Sequence, residues 1–159
     1  MATETLPLVL LVLSGDREKA LAAANLALAA RAAGRPVTLF FTFWGLNLVK
    51  RERVRPRGPL LVRLFALLNR DHAGRQRLGR FHLAGLGAWA LGRIAARKGI
   101  PPFDQSLRMA HGLGARIVAC STTLELLGLS REDLLPEVDD VAGAAAFLEE
   151  ARSGQIVTL

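Results

Sequence analysis

The sequence predicts a three-layer α/β fold in which a mostly parallel sheet carries helices on both faces. Three observations predict it. Residues 6–13, LPLVLLVL, form a continuous apolar run of strand length; an Ala- and Leu-rich stretch and a second β-rich run follow; and the helix-then-strand alternation returns in the last third of the chain. A strand apolar on both sides is what a parallel sheet covered by helices requires. Alternating strands and helices give α/β layering.

Each element has its own local reason. Ser14-Gly15-Asp16 ends the first run with turn and cap chemistry, and the stretch through Ala33 is a strong helix former closed by Gly34. Strand character resumes at Pro36 and runs to Phe43, so the first forty-odd residues form a βαβ unit with a right-handed crossover. Trp44-Gly45-Leu46-Asn47 breaks that strand, and the prolines and glycine of KRERVRPRGP make the next stretch a loop. Leu60, Leu61, Leu64, Leu67 and Leu68 recur at helical spacing, giving a short amphipathic helix at 59–68. Asn69 to Gly79 is polar and basic; Leu83 to Arg97 contains Gly85, Gly87 and Gly92, which read either as a close-packing helix face or as a loop-to-helix transition.

After Pro101-Pro102 a helix spans about 103–113, bracketed by Gly112 and Gly114, and Ala115-Arg-Ile-Val-Ala is a short strand with Cys120 at its carboxyl end. Ser121-Thr122-Thr123 begins a short helix that Gly128 ends, and Ser130 to Asp133 forms another cap. Val141 to Arg152 reads as a helix with its alanines and Phe147 facing inward, and Gln155 to Leu159 as a terminal strand.

A chain of 159 residues, 51% apolar, suits one domain over 1–159 with a basic helical and loop insertion at about 50–98. The single cysteine excludes an intramolecular bridge, no Cys/His set has zinc spacing, and no metal or cofactor is expected. No positive residue precedes the first apolar run, and the longest uncharged stretch, Pro36 to Val49, has fourteen residues, against the roughly 18 or more of a spanning helix. The expected compartment is the cytoplasm, with Cys120 reduced.

Positive charge is concentrated in the middle of the chain. Residues 50–98 hold thirteen Lys/Arg against Glu52 and Asp71, a local net of +11 in a chain of net +7, so the remainder is net −4. Such asymmetry points to an anionic partner without fixing its kind. Nucleic acid is disfavoured because Phe65, Phe81 and Trp89 are the segment's few aromatics and each serves as well in a core. Leu or Trp bordered by arginines, on helix 59–68 and on the Gly-rich 83–97 segment, suits a peripheral membrane contact, and the same features describe a subunit interface.

In an open α/β sheet, reactive groups collect beyond the carboxyl ends of the strands, where helix amino termini present free amides. Cys120 falls at that edge. There its thiolate is favoured by the helix dipole and by the amides near Ser121, Thr122 and Thr123; the alternative is a small buried hydrophobe ending a core strand. Ser14-Gly15 and Asp16, at the same edge, offer either amides to an anion or a plain helix start, and neither GxxxxGK[ST] nor GxGxxG is present. Phe40, Phe41, Phe43 and Trp44-Gly45 are candidates to wall a pocket over Cys120, with core packing the competing use of the phenylalanines. None of His72, His82 and His111 has a known spacing to Cys120, so a Cys-His hydrolase fits poorly; His111 reads as a helix-end residue.

Ser14-Gly15-Asp16 with Lys19-Ala20, the string FFTFWGL at 40–46, Ala119-Cys120 before a helix ending at Gly128, and Val141-Ala142-Gly143 with Ala146 to Ala151 together resemble the DsrE/DsrF-like family, closest to its DrsE or peroxiredoxin-like subgroup, over nearly the whole chain. The resemblance implies a five-stranded sulfur-relay fold, usually a homo-oligomer, in which a cysteine after a central strand carries sulfane sulfur as a persulfide. That role maps onto Cys120. It further implies sulfur donor and acceptor proteins, or small sulfane-sulfur species, as partners. This chain has Thr122, Leu124 and Leu127 where members often carry methionines, and it lacks the second cysteine of some relatives. A resolving-thiol mechanism is therefore excluded, which leaves a one-thiol sulfur carrier or sulfurtransferase. The competing reading is a non-enzymatic binding or scaffold protein that uses its basic 50–98 segment for a partner protein or membrane surface. Peroxide reduction ranks last, since no threonine-and-arginine peroxidatic motif accompanies the cysteine.

Overall fold

A computed structural model describes residues 5–54, 56–69, 71–77 and 86–159. The readings that fall on Phe81, His82 and Gly85 lie outside the described residues, as does the side chain of Phe65. Among the described residues five strands make one sheet: β1 (Leu8–Val12), β2 (Val37–Phe41), β3 (Arg116–Cys120), β4 (Asp140–Ala142) and β5 (Gln155–Thr158), in the order β4-β3-β2-β1-β5. Every pairing is parallel. Helices α1 (Arg17–Ala32), α2 (Leu60–Leu68), α3 (Leu86–Arg97), α4 (Phe103–Gly112), α5 (Ser121–Leu126) and α6 (Ala144–Glu150) join them. No helix among the described residues is long and apolar enough to cross a membrane.

Alternation along each strand divides the side chains between two layers. Leu8, Leu10 and Val12, Val37, Leu39 and Phe41, and Ile117 and Ala119 enter the larger core with α1 and α4. The buried stripe of α1 is all alanine, at 20, 23, 24, 27 and 30, which lets that helix lie close to both α4 and the sheet. On the opposite face Phe40, Val118 and Cys120 form a smaller cluster with Leu11, Ala142 and Phe147. Helix α6 covers this face through Phe147, whose ring centre lies 5.1 Å from that of Phe40. Its last turn is tied to the sheet where Glu150 accepts from Thr38 at 2.7 Å and pairs with Arg116.

One expectation needs correcting. Val141 to Arg152 is not a single helix: Asp140–Ala142 is strand β4, Gly143 is the N-cap, and α6 begins at Ala144. Three residues are too few to display a β alternation, and the strand is specified by its neighbour instead. Asp139 locks the start of the β3–β4 pair: its amide donates to the Ile117 carbonyl at 2.8 Å and its carboxylate accepts from the Ile117 amide at 2.7 Å. Phe147 packs inward as expected, but Ala144, Ala145 and Ala146, expected to face inward with it, are exposed, because this short helix meets the sheet mainly through the Phe147 ring. The basic loop also departs from a wholly solvated stretch, because Lys50 at its start is 5% exposed and bridges to Leu134.

Candidate functional site

The carboxyl edge of the sheet gathers the turns after β1, β2, β3 and β4. Phe41 lies in register with Ala119 and Cys120 with Ala142, so Thr42, one residue past β2, arrives beside the Cys120 side chain. Two glycines make the close approach of these turns possible. A Cβ on Gly45 would sit 2.1 Å from the Val12 carbonyl oxygen, and one on Gly15 would sit 2.8 Å from that of Trp44. The Gly45 amide donates to Leu13 at 2.9 Å and the Thr42 amide to Val12 at 3.0 Å, fixing the turn after β2 on the end of β1.

Cys120 is 7% exposed, on the sheet face covered by α6, and serves as the N-cap position of α5. Burial raises the thiol pKa, but hydrogen bonds from the Thr42 hydroxyl, from the amide and hydroxyl of Thr123 and from the Thr122 amide outweigh it, so the pKa falls below the ordinary thiol value. The two hydroxyls also touch each other, 2.9 Å apart, and Thr123 Oγ1 accepts from the Phe43 amide at 3.1 Å. Each threonine has one proton to give. With sulfur ionised, that proton is best placed toward the thiolate, and the Phe43 amide holds the Thr123 oxygen in position meanwhile. Phe43 adopts φ 45°, the one left-handed non-glycine among the described residues, a conformation costing about 1–2 kcal/mol. This strain sits where the chain must turn to deliver Thr42 and the Phe43 amide.

The remaining candidates divide into distinct places. Phe43, Trp44, Leu61, Val62, Thr123, Leu126 and Leu127 line an apolar cleft of about 300 Å³, in which Thr123 takes part and Cys120 itself does not. Phe43 and Trp44 stand half exposed at its rim. Phe40 and Phe41 belong to the two cores instead. Ser14, Gly15 and the other side of Trp44 line a second cleft with Asp16, Asn47, Asn69, Asp71 and Arg77. There the Ser14 amide donates to the Leu159 carbonyl at 3.4 Å, the Asp16 amide to Ser14 Oγ at 3.1 Å and the Arg17 amide to the Arg77 carbonyl at 2.8 Å. Gly45 is buried packing, Ser121 lies beside Gly143, and Thr122 contributes its amide alone.

His111 closes the last turn of α4 and contacts Asp139 at 2.9 Å, near Ile117 at the amino end of β3, the end away from Cys120. His72 accepts from the Gly74 amide at 3.2 Å within its own turn. The residue that sequence reasoning passed over is Thr42, which looks like one more β-former within FFTFWGL. A hydroxyl one position past β2, next to the strand that ends in Cys120, was the available signal.

The sequence profile of the DsrE/DsrF/DrsH-like family matches residues 5–159. The uncharacterized protein YrkE of Bacillus subtilis is 32% identical over 157 residues, covering 98% of each chain. The sulfur carrier protein DsrE2 of Allochromatium vinosum is 28% identical over 141 residues, covering 82% of this chain and 83% of its own. Among solved structures, MTH1491 of Methanobacterium thermoautotrophicum, a protein of unknown function, superposes with a TM-score of 0.58 at 14% identity, over 97% of this chain and 99% of that one. The ychN protein of E. coli gives 0.58 at 13% identity, over 97% and 100%. A match along nearly the whole chain, on the fold that carries Cys120 at its sheet edge, places this protein in the DsrE/DsrF/DrsH-like family.

Proposed function

We propose that this protein is a sulfur carrier that relays sulfane sulfur as a persulfide on Cys120. The observation that carries the reading is the set of donors aimed at one buried thiol from Thr42, Thr122 and Thr123, in a chain whose relatives include a named sulfur carrier. The Cys120 thiolate attacks the outer sulfur of a persulfide R–S–SH; the S–S bond to R breaks, R–S⁻ leaves, and Cys120–S–SH forms. An acceptor thiolate then attacks that outer sulfur, returning Cys120 to the thiolate. Each step exchanges one S–S bond for another, so no external oxidant or reductant is needed. The donors that hold the thiolate also favour it as leaving group, since a lower-pKa thiol departs faster. The apolar cleft that Thr123 helps to line gives the acceptor a surface to meet.

The partners are sulfur donors and acceptors, proteins or small sulfane-sulfur species, and the working form is a cytoplasmic homo-oligomer. The test is single-turnover transfer. Protein loaded with a persulfide donor and freed of excess reagent is mixed with a thiol acceptor; wild type should deliver one sulfur per Cys120 and Cys120→Ser none. Equal delivery by both would end the proposal.

A second reading rests on α2, where Leu60, Leu61, Leu64 and Leu68 stand exposed beside Arg57 and Arg63. Such a face suits a partner protein or an anionic membrane surface, with Cys120 structural. Sedimentation with anionic vesicles, set beside oligomer mass from light scattering, separates the two. A discrete oligomer that ignores vesicles would sink the membrane form of this reading.

A further inference from the structure

Away from Cys120 the basic segment lines a cleft of about 660 Å³, walled by residues 52–54 and Pro56, by Arg63 and Ala66 of α2, and by Asn69, His72 and Arg75. That volume falls within the range of small-molecule sites, about 300–1,000 Å³, and far exceeds what one inorganic ion fills. Its positive charge comes from Lys50, Arg53, Arg63 and Arg75, with Glu52 the sole acid among the described lining residues.

How the segment uses its acids separates this cleft from an ordinary basic surface. Arg77 pairs with Asp71 at 3.1 Å and Arg57 with Glu132 at 3.3 Å, both outside the lining. No carboxylate among the described residues pairs with Arg53, Arg63 or Arg75. At the floor, Lys50 is 5% exposed, and its ammonium donates to one acceptor, the Asn69 carbonyl, at 3.0 Å. An ammonium has three protons, and burying it without a contacting carboxylate is costly. Burial accordingly lowers its pKa, with Asp71 opposing from a distance. Four cations against one acid in the described lining suit an anion of more than one charge.

We propose that this cleft binds a small organic phosphate, with the phosphate between the Arg53, Arg63 and Arg75 guanidiniums over Lys50 and the organic body against Val54, Pro56 and Ala66. Guanidinium forks match phosphate oxygens in pairs, and a lysine adds a point charge. A monocarboxylate would leave most of the cleft's positive charge uncompensated. Among the described lining residues no Phe, Tyr or Trp offers a face for base stacking, and nucleic acid is the poorer fit.

Isothermal titration calorimetry on the full chain, at a fixed ionic strength of about 0.15 M, tests this with phenyl phosphate, inorganic phosphate and benzoate. Phenyl phosphate should bind saturably and more tightly than inorganic phosphate, and benzoate much less tightly than either. Arg63→Gln and Arg53→Gln, both exposed changes, should each weaken phenyl phosphate about tenfold or more. Arg152→Gln, the same charge loss beside Glu149 on a different element, should leave binding unchanged. Cys120→Ser should bind like wild type, so the outcome is independent of sulfur transfer. Equal weakening by Arg152→Gln, equal affinity for benzoate, or no saturable binding would overturn the proposal.

Discussion

Two opposing effects set the protonation of Cys120: a nearly closed environment that favours the neutral thiol, and donors from three threonines that favour the thiolate. The donors prevail, and Thr42 is their most separable member. Thr42→Val keeps the shape and removes one hydrogen bond to a charged atom, worth about 1.5–3 kcal/mol. The expected result is about a tenfold slower iodoacetamide reaction at neutral pH, with the rate profile moved to higher pH. An unchanged profile would show that Thr42 does not act on the sulfur. The same depression has a thermodynamic face. A thiol with a lower pKa folded than unfolded stabilises the fold above the unfolded value of about 8.5, and loses that contribution as pH falls through the folded value. The stability gap between wild type and Cys120→Ser should therefore widen in favour of wild type from neutral to alkaline pH, as read from urea midpoints. Cys120 was legible in the sequence because strand, cysteine and helix are consecutive. Thr42 was not, because its role depends on register between two strands more than seventy residues apart.

Strands and helices were legible where their own side chains supply the reason for them. The apolar runs of β1 and β2 and the alanines of α1 are such elements, and each falls within a few residues of its expected place. Strand β4 is of the other kind: its three residues are strand because Asp139 locks them to β3. Asp139→Ala should cost about 1–3 kcal/mol by leaving the Ile117 amide without its carboxylate acceptor, measurable by chemical denaturation. The turn after β2 provides a second test. Gly45→Ala would force a methyl group against the Val12 backbone, and a stability loss of about 3 kcal/mol or more is expected, together with a return of Cys120 alkylation toward ordinary thiol behaviour. A well-tolerated alanine there would contradict the close approach of these turns.

Across the molecule, charge and chemistry occupy neighbouring regions. The sheet and its helices hold the thiol, and the 50–77 stretch holds most of the excess positive charge described. The two are physically joined: Asn47, buried after β2, and Asn69, after α2, exchange amide hydrogen bonds of 3.0 Å, and the Arg77 carbonyl accepts from the first residue of α1. An anionic sulfur donor should thus load Cys120 several-fold more slowly at about 0.15 M salt than at about 0.01 M, whereas a neutral donor should show little change. The sequence disclosed this asymmetry as a count of arginines. It did not disclose that Lys50 would be buried, because that depends on the Leu134 turn closing over it.

The most direct test of a persulfide-carrying Cys120 is intact-protein mass spectrometry after incubation with a polysulfide donor, for wild type and Cys120→Ser. A gain of about 32 Da per transferred sulfur on wild type alone, reversed by a thiol acceptor, is the predicted result. A wild-type mass that does not change, or a gain that persists in Cys120→Ser, would contradict it.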